Sequence, residues 1–422
     1  MHTLPLPRVK EDVIDGMRFL AARTKTKDVV CIKGSVYGGK NHVSFEKRAV
    51  AWLLEDLLDA GTKKRTKGEL RETLASLGAT LSFSCRGDRL YFDASCLPED
   101  VDQILALIVE CLGESVFPVA EVALSKKRAI AHQHENKTET HWMAERTLEQ
   151  ILYEKNHPNY GFLPEEAIKS ITRVTRADIV ALYKKIGSSG LVFAIGGDID
   201  ESKTLQSAQR HFAKLRKGTL GPVPLPSPRR QPSKEVLVSI PDKANIDMLL
   251  AVRTLIRFDD PKFLSLKVLL SLLGGGGVST GHLMRTVRER DGLTYGIRSY
   301  TCDFDEGADG HFTVWATFAP KVFAQGLATT RKEIAAFFAT GLTPKLLAAK
   351  KEEMLGKYLI GLSTTSGLVF TIFDNAIEGR NISYLREYPQ LLEKLTLKEL
   401  KETRALIPLK ELSLSAAGTF EK

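Results

Sequence analysis

Gly221-Pro-Val-Pro-Leu-Pro-Ser-Pro-Arg-Arg-Gln-Pro232 divides the chain nearly in half. Proline fixes φ and lacks a backbone donor, so alternating prolines exclude helix and favour an extended, semi-rigid connector. The boundaries predicted from this stretch are a first domain at 1–216, a proline-rich linker at 217–234 and a second domain at 235–422. On the N-terminal side, Ser44 precedes an apolar helix over Phe45 to Ala60 that Gly61 stops. Thr66 and Glu69 form a capping box for a helix that Gly78 ends. Alternating segments at Leu81 to Cys85 and Leu90 to Cys96 flank Arg86-Gly87-Asp88 as a hairpin, and Pro98 opens an apolar helix through Leu112. A further helix is expected from Pro118 to Glu135, and Leu191 to Gly196 reads as a buried strand. Beyond the connector the order recurs. Pro261 opens a helix to Leu273, alternating segments follow at Leu293 to Thr301 and His311 to Phe318, and helices begin at Pro320 and at Thr343. Pro98 answers to Pro320 and Pro118 to Pro344, each at a helix start and at nearly the same offset, which points to duplication of one α+β domain.

Composition narrows the function classes. With 422 residues, 43% hydrophobic and 26% charged, the chain can bury two or more cores. No apolar run approaches the roughly eighteen residues of a membrane-spanning helix, so no membrane association is expected. Met1 to Asp12 lacks the basic, apolar and small-residue segments of a secretion signal, so the cytoplasm is expected, or the periplasm had a signal been trimmed. Five scattered cysteines suit free thiols. The net charge of +9 is spread along the chain, which disfavours nucleic acid and suits acidic peptides or an acidic partner.

Val36-Tyr-Gly-Gly39, Ala51-Trp-Leu-Leu-Glu-Asp-Leu57, Gly61-Thr-Lys-Lys-Arg-Thr66 and Leu77-Gly-Ala79 resemble the N-terminal domain of the pitrilysin, or insulinase, family of zinc peptidases, which includes mitochondrial processing peptidase. The defining motif of that family is H-x-x-E-H. Residues four apart share a helical face, so two histidines hold one zinc while the glutamate reaches its water. Zinc brings the pKa of that water from about 15.7 towards 7. Laid over this sequence, the first histidine falls on Trp52, the glutamate on Glu55, the second histidine on Asp56 and the distant glutamate ligand on or near Gln133. Trp52 offers no lone pair to a metal, and the neutral Gln133 replaces a carboxylate. His132, His134 and His141 lie nearby, but their spacing does not converge on one helical face.

His282-Leu-Met-Arg-Thr-Val-Arg288-Glu-Arg-Asp-Gly-Leu-Thr-Tyr295-Gly-Ile is similar to the C-terminal signature of the same family, in which an arginine and a tyrosine seven residues later bind substrate. On the residues alone, Arg288 reads as a solvated helix charge and Tyr295 as a strand residue packed in the core. The resemblance makes them donors to a peptide carbonyl and to the oxyanion of hydrolysis. The preceding run Gly274, Gly275, Gly276 and Gly277 resembles the glycine-bearing turn of the family. No Gly-Lys-Ser/Thr follows it, so it reads as a turn giving close backbone approach to substrate or a neighbouring domain rather than as a phosphate loop.

The resemblance implies an α+β fold of two related domains. Each would hold a mixed, mostly antiparallel β-sheet covered by helices, together forming half of a clam-shell chamber. It implies a heterodimer in which a homologous subunit carries an intact H-x-x-E-H and the zinc. This chain would supply Arg288 and Tyr295, hold no cofactor, grip peptide substrates and show no peptidase activity alone. The alternatives are a catalytically inert structural protein and a peptide-binding protein of the same fold.

Overall fold

The computed structural model describes residues 7–275, 281–302, 304 and 308–421. Two compact units emerge, each around one sheet.

In the first unit, strands β1 (Val9–Ile14), β2 (Met17–Arg23), β3 (Val30–Tyr37), β4 (Thr80–Arg86), β5 (Arg89–Cys96) and β6 (Val192–Gly197) form a six-stranded sheet in the order β1-β2-β6-β3-β5-β4. Only β2 and β6 run parallel. The hairpin expected around Arg86-Gly87-Asp88 is β4–β5, paired from Arg86↔Arg89 to Thr80↔Ser95. The expected capping box forms as well, with Thr66 and Glu69 satisfying each other's backbone N–H groups at the start of the Lys67–Ser76 helix. Because side chains alternate across a strand, Phe19 and Ala21 join one core with the helices Ala49–Leu57 and Val101–Glu114, while Leu20 and Ala22 face another.

In the second unit, β7 (Glu235–Ser239), β8 (Ile246–Arg257), β9 (Gly296–Cys302), β10 (Asp309–Phe318) and β11 (Ser413–Gly418) pair in the order β7-β11-β8-β10-β9. Here too one pair is parallel, β7 with β11, and the others are antiparallel. The five-strand pattern therefore repeats: β2-β6-β3-β5-β4 has the same order and the same senses as β7-β11-β8-β10-β9. β1 is an addition to the first copy. Duplication of one α+β domain accounts for this identity of topology.

The units are not the contiguous halves expected on either side of the connector. Residues 357–389 pack with the first unit and residues 131–168 with the second. In the first unit, Leu368, Val369, Ile372 and Phe373 of the Thr365–Ile377 helix cover Leu20, Ala22, Val192 and Ala194. In the second, Ala144, Leu148 and Leu152 of the Thr140–Leu152 helix cover Leu249, Ala251 and Ala417. The two helices hold matching places in the two halves of the sequence, so each unit completes its sheet face with the helix of the other half. Sequence punctuation marks where the chain is extended, and it carries no record of which core a later helix joins. The connector itself, 220–234, carries neither helix nor strand, as its prolines require.

Candidate functional site

The Ala49–Leu57 helix of the first unit buries Ala49, Val50, Leu53, Leu54 and Leu57, and leaves Trp52, Glu55 and Asp56 towards its margin. Trp52 is half-buried against the core. Glu55 is turned to the sheet, where its Oε2 accepts the backbone N–H of Cys85 on β4. Burial pushes the Glu55 carboxyl up to about 7, against the opposing influence of that N–H and of the Arg86 charge. Asp56 is exposed and accepts a hydrogen bond of 2.8 Å from Arg128 Nη2. This donor set does not suit zinc: the indole has no ligating lone pair, Asp56 is paired with a guanidinium, and Glu55 is held by an amide.

Gln133 lies on the Val119–Asn136 helix. Its Oε1 is buried and has no hydrogen-bond partner among the described residues. The histidines around it do not converge. His132 faces Glu135 at 3.6 Å, His134 is exposed, and His141 Nδ1 lies 3.8 Å from Asp247. Among the described residues no three His, Cys, Asp or Glu side chains gather as a metal site would require.

In the second unit the segment Met284–Arg290 is a π-helix, a form whose hydrogen bonds run from each N–H to the carbonyl five residues back. Asp291 N–H reaches Thr286 O at 3.1 Å in this way, and the wider winding continues to Leu293 N–H on Val287 O. Met284 and Val287 are the buried residues, and Arg288 is half-buried. Gly292, at φ +64°, turns the chain into β9, a conformation that a side chain would strain. Leu293 and Thr294 are buried, and Tyr295, just before β9, is 89% exposed. The core reading of Tyr295 is thereby overturned: its neighbours fill the core and its ring stands in solvent. Arg288 is likewise not a fully solvated helix charge. Its neighbour Arg290 takes Asp291 and Glu333, and Arg288 is left without an ion pair among the described residues.

The carboxylate of Glu333, on the Phe323–Thr340 helix, was not singled out by sequence reasoning. With its side chain only 7% exposed, it accepts from His282 Nε2 and from Arg290 Nη2, both at 2.9 Å. Burial works to raise its pKa, and Arg290 and His282 outweigh burial, so the carboxyl stays below its ordinary value. The available signal was a charged residue on an apolar stripe, since Thr330, Ile334 and Phe337 around it are buried.

The glycine-bearing turn approaches its own sheet. A Cβ on Gly274 would come within 2.8 Å of Ser299 N on β9, and one on Gly275 within 3.0 Å of Ser299 O. Gly274 and Gly275 thus make a close backbone approach to β9. Gly276 and Gly277 lie outside the described residues.

Comparison with known proteins places this arrangement. Residues 18–163 match the insulinase model of peptidase family M16, and residues 173–354 match the model described as the peptidase M16 inactive domain. The chain belongs to the M16 peptidase family. An uncharacterized zinc protease of Rickettsia felis is 24% identical to this M16 chain over 321 residues, 72% of each protein. The mitochondrial-processing peptidase subunit beta of Bos taurus is 21% identical over 302 residues, 70% of this chain and 61% of that one. Among solved structures, a peptidase M16 inactive domain from Pseudomonas fluorescens superposes with a TM-score of 0.89 at 22% identity, covering 98% of both chains. A protease from Helicobacter pylori gives 0.79 at 17% identity, covering 98% of this chain and all of the other. At these identities the structural matches speak to the M16 fold alone.

Proposed function

We propose that this chain is the metal-free, substrate-gripping subunit of a two-chain zinc metalloendopeptidase that degrades or processes unfolded peptides. Zinc would reside in a homologous partner with an intact H-x-x-E-H, and Arg288 and Tyr295 would be this chain's contribution to the reaction. The observation that carries the proposal is the state of these two side chains. An 89% exposed tyrosine seven residues after a half-buried arginine that has no ion-pair partner among the described residues leaves two hydrogen-bond donors available on one short segment. In contrast, two of the residues aligned with the zinc motif are committed inside the chain: Glu55 to Cys85 and Asp56 to Arg128.

In the reaction so envisaged, the guanidinium and phenol donate to a substrate carbonyl and strengthen their hold as it becomes an oxyanion. The competing reading is a catalytically inert member of the fold. It gives no reason for a large aromatic side chain to stand in water at the start of a strand.

Metal analysis of chelator-free protein, joined to co-purification from the native source, tests the proposal. Less than stoichiometric zinc, and capture of a second M16 chain bearing H-x-x-E-H, are expected. One tightly held zinc per chain with chelator-sensitive peptidase activity would overturn it.

A further inference from the structure

We infer that Glu333 is a positioning residue that sets Arg288 relative to Tyr295 by clamping both ends of the π-helical segment between His282 and Arg290; the inference rests on the substrate-gripping reading above. A π-helix is rare and appears mostly as a single-turn bulge within an α-helix, frequently at a functional site. Seven residues in that form call for an outside restraint. The restraint is one carboxylate: Oε2 holds His282, just before the segment, and Oε1 holds Arg290, its last residue, each at 2.9 Å. The His282 ring also lies 5.4 Å from the Phe337 ring, one helical turn beyond Glu333 on the same helix. Arg288 sits between the two anchors.

The backbone on either side of Tyr295 is held by other means. Thr294 Oγ1 donates within the β9–β10 end of the sheet, to Gly296 O at 2.9 Å or to Thr317 O at 2.5 Å, and accepts Gly296 N–H at 3.1 Å. Loss of the Glu333 clamp therefore acts on one of the two gripping residues. With both anchors released, the segment is free to rewind towards α-helix, which turns Arg288 about the helix axis and leaves Tyr295 where it is.

The experiment is a binding titration of a dye-labelled, unstructured peptide against the full chain, corrected for the folded fraction, with E333A, E333Q, R288A and the double variant R288A/E333A. E333A should weaken binding on the order of 10- to 100-fold, the usual cost of losing an outer residue that orients a binding group. E333Q should recover most of this, since an amide oxygen accepts from Arg290 while the amide N–H donates to His282 in its other tautomer. The double variant should bind no worse than R288A alone, because Glu333 acts through Arg288. If R288A weakens binding but E333A does not, or if the two losses multiply, Glu333 has no positioning role and the gripping reading stands. If R288A binds like wild type, or the wild-type chain binds no peptide, the gripping reading falls and this inference with it.

Discussion

Glu55 and Cys85 are joined by a hydrogen bond in which a half-buried carboxylate takes a backbone N–H of β4. The helix that would carry a zinc motif is in this way fastened to the outermost strand of its sheet. Burial raises the Glu55 carboxyl to about 7, so between pH 4.5 and about 7 the folded chain holds a proton that the unfolded chain has released. The contribution to stability is fully present below the unfolded value near 4.5 and is lost as pH rises through about 7. A shift of this size corresponds to at most about 3 kcal/mol. Glu55→Gln should flatten the pH dependence of thermal unfolding in this window and raise stability at pH 8. Unchanged pH dependence would contradict the assignment.

Arg253 and Asp309 pair across β8 and β10 with both side chains 2% exposed, and the guanidinium lies 4.8 Å from the centre of the Tyr153 ring. Removing one member of a buried ion pair leaves an uncompensated charge and costs about 3–5 kcal/mol, while replacing both with apolar groups is far milder. Asp309→Ala should lower the denaturation midpoint of the chain markedly. Asp309→Leu combined with Arg253→Met should restore most of the loss. Equal destabilisation by the single and double variants would refute this.

Gly274 has no room for a side chain, because its missing Cβ faces the backbone N–H of Ser299. Gly274→Ala should cost about 1–3 kcal/mol, the usual range for overpacking against groups that cannot yield. Gly292→Ala, strained through its positive φ, should also destabilise, though no atom of the described residues lies within 4 Å of its added Cβ. Chemical denaturation of the two variants checks both statements.

The repeat was legible in the sequence because prolines at helix starts and glycines at helix ends act locally. Pro98, Pro320 and Gly78 did their work within a turn of where they stand. The exchange of the Thr140–Leu152 and Thr365–Ile377 helices was not legible, since an amphipathic helix shows that it has an apolar face and not which sheet will cover it. Of the site, Arg288 and Tyr295 were visible as a spacing. Their settings were not: the π-helix depends on Glu333, far away in sequence, and the exposure of Tyr295 runs against the ordinary tendency of an aromatic residue next to a strand. Gly274 was visible as part of a glycine run, but its neighbour Ser299 was not, because the approach is made by backbone rather than side chain.

The most direct test of substrate gripping is steady-state peptide cleavage by the mixed complex of this chain with an M16 subunit bearing H-x-x-E-H, with heterodimer formation followed by gel filtration. Arg288→Ala and Tyr295→Phe should fold and pair normally while turnover falls on the order of 10² to 10³, or about 3–4 kcal/mol for each lost oxyanion donor. Cleavage by both variants at the wild-type rate would contradict the account and leave this chain a structural member of its family.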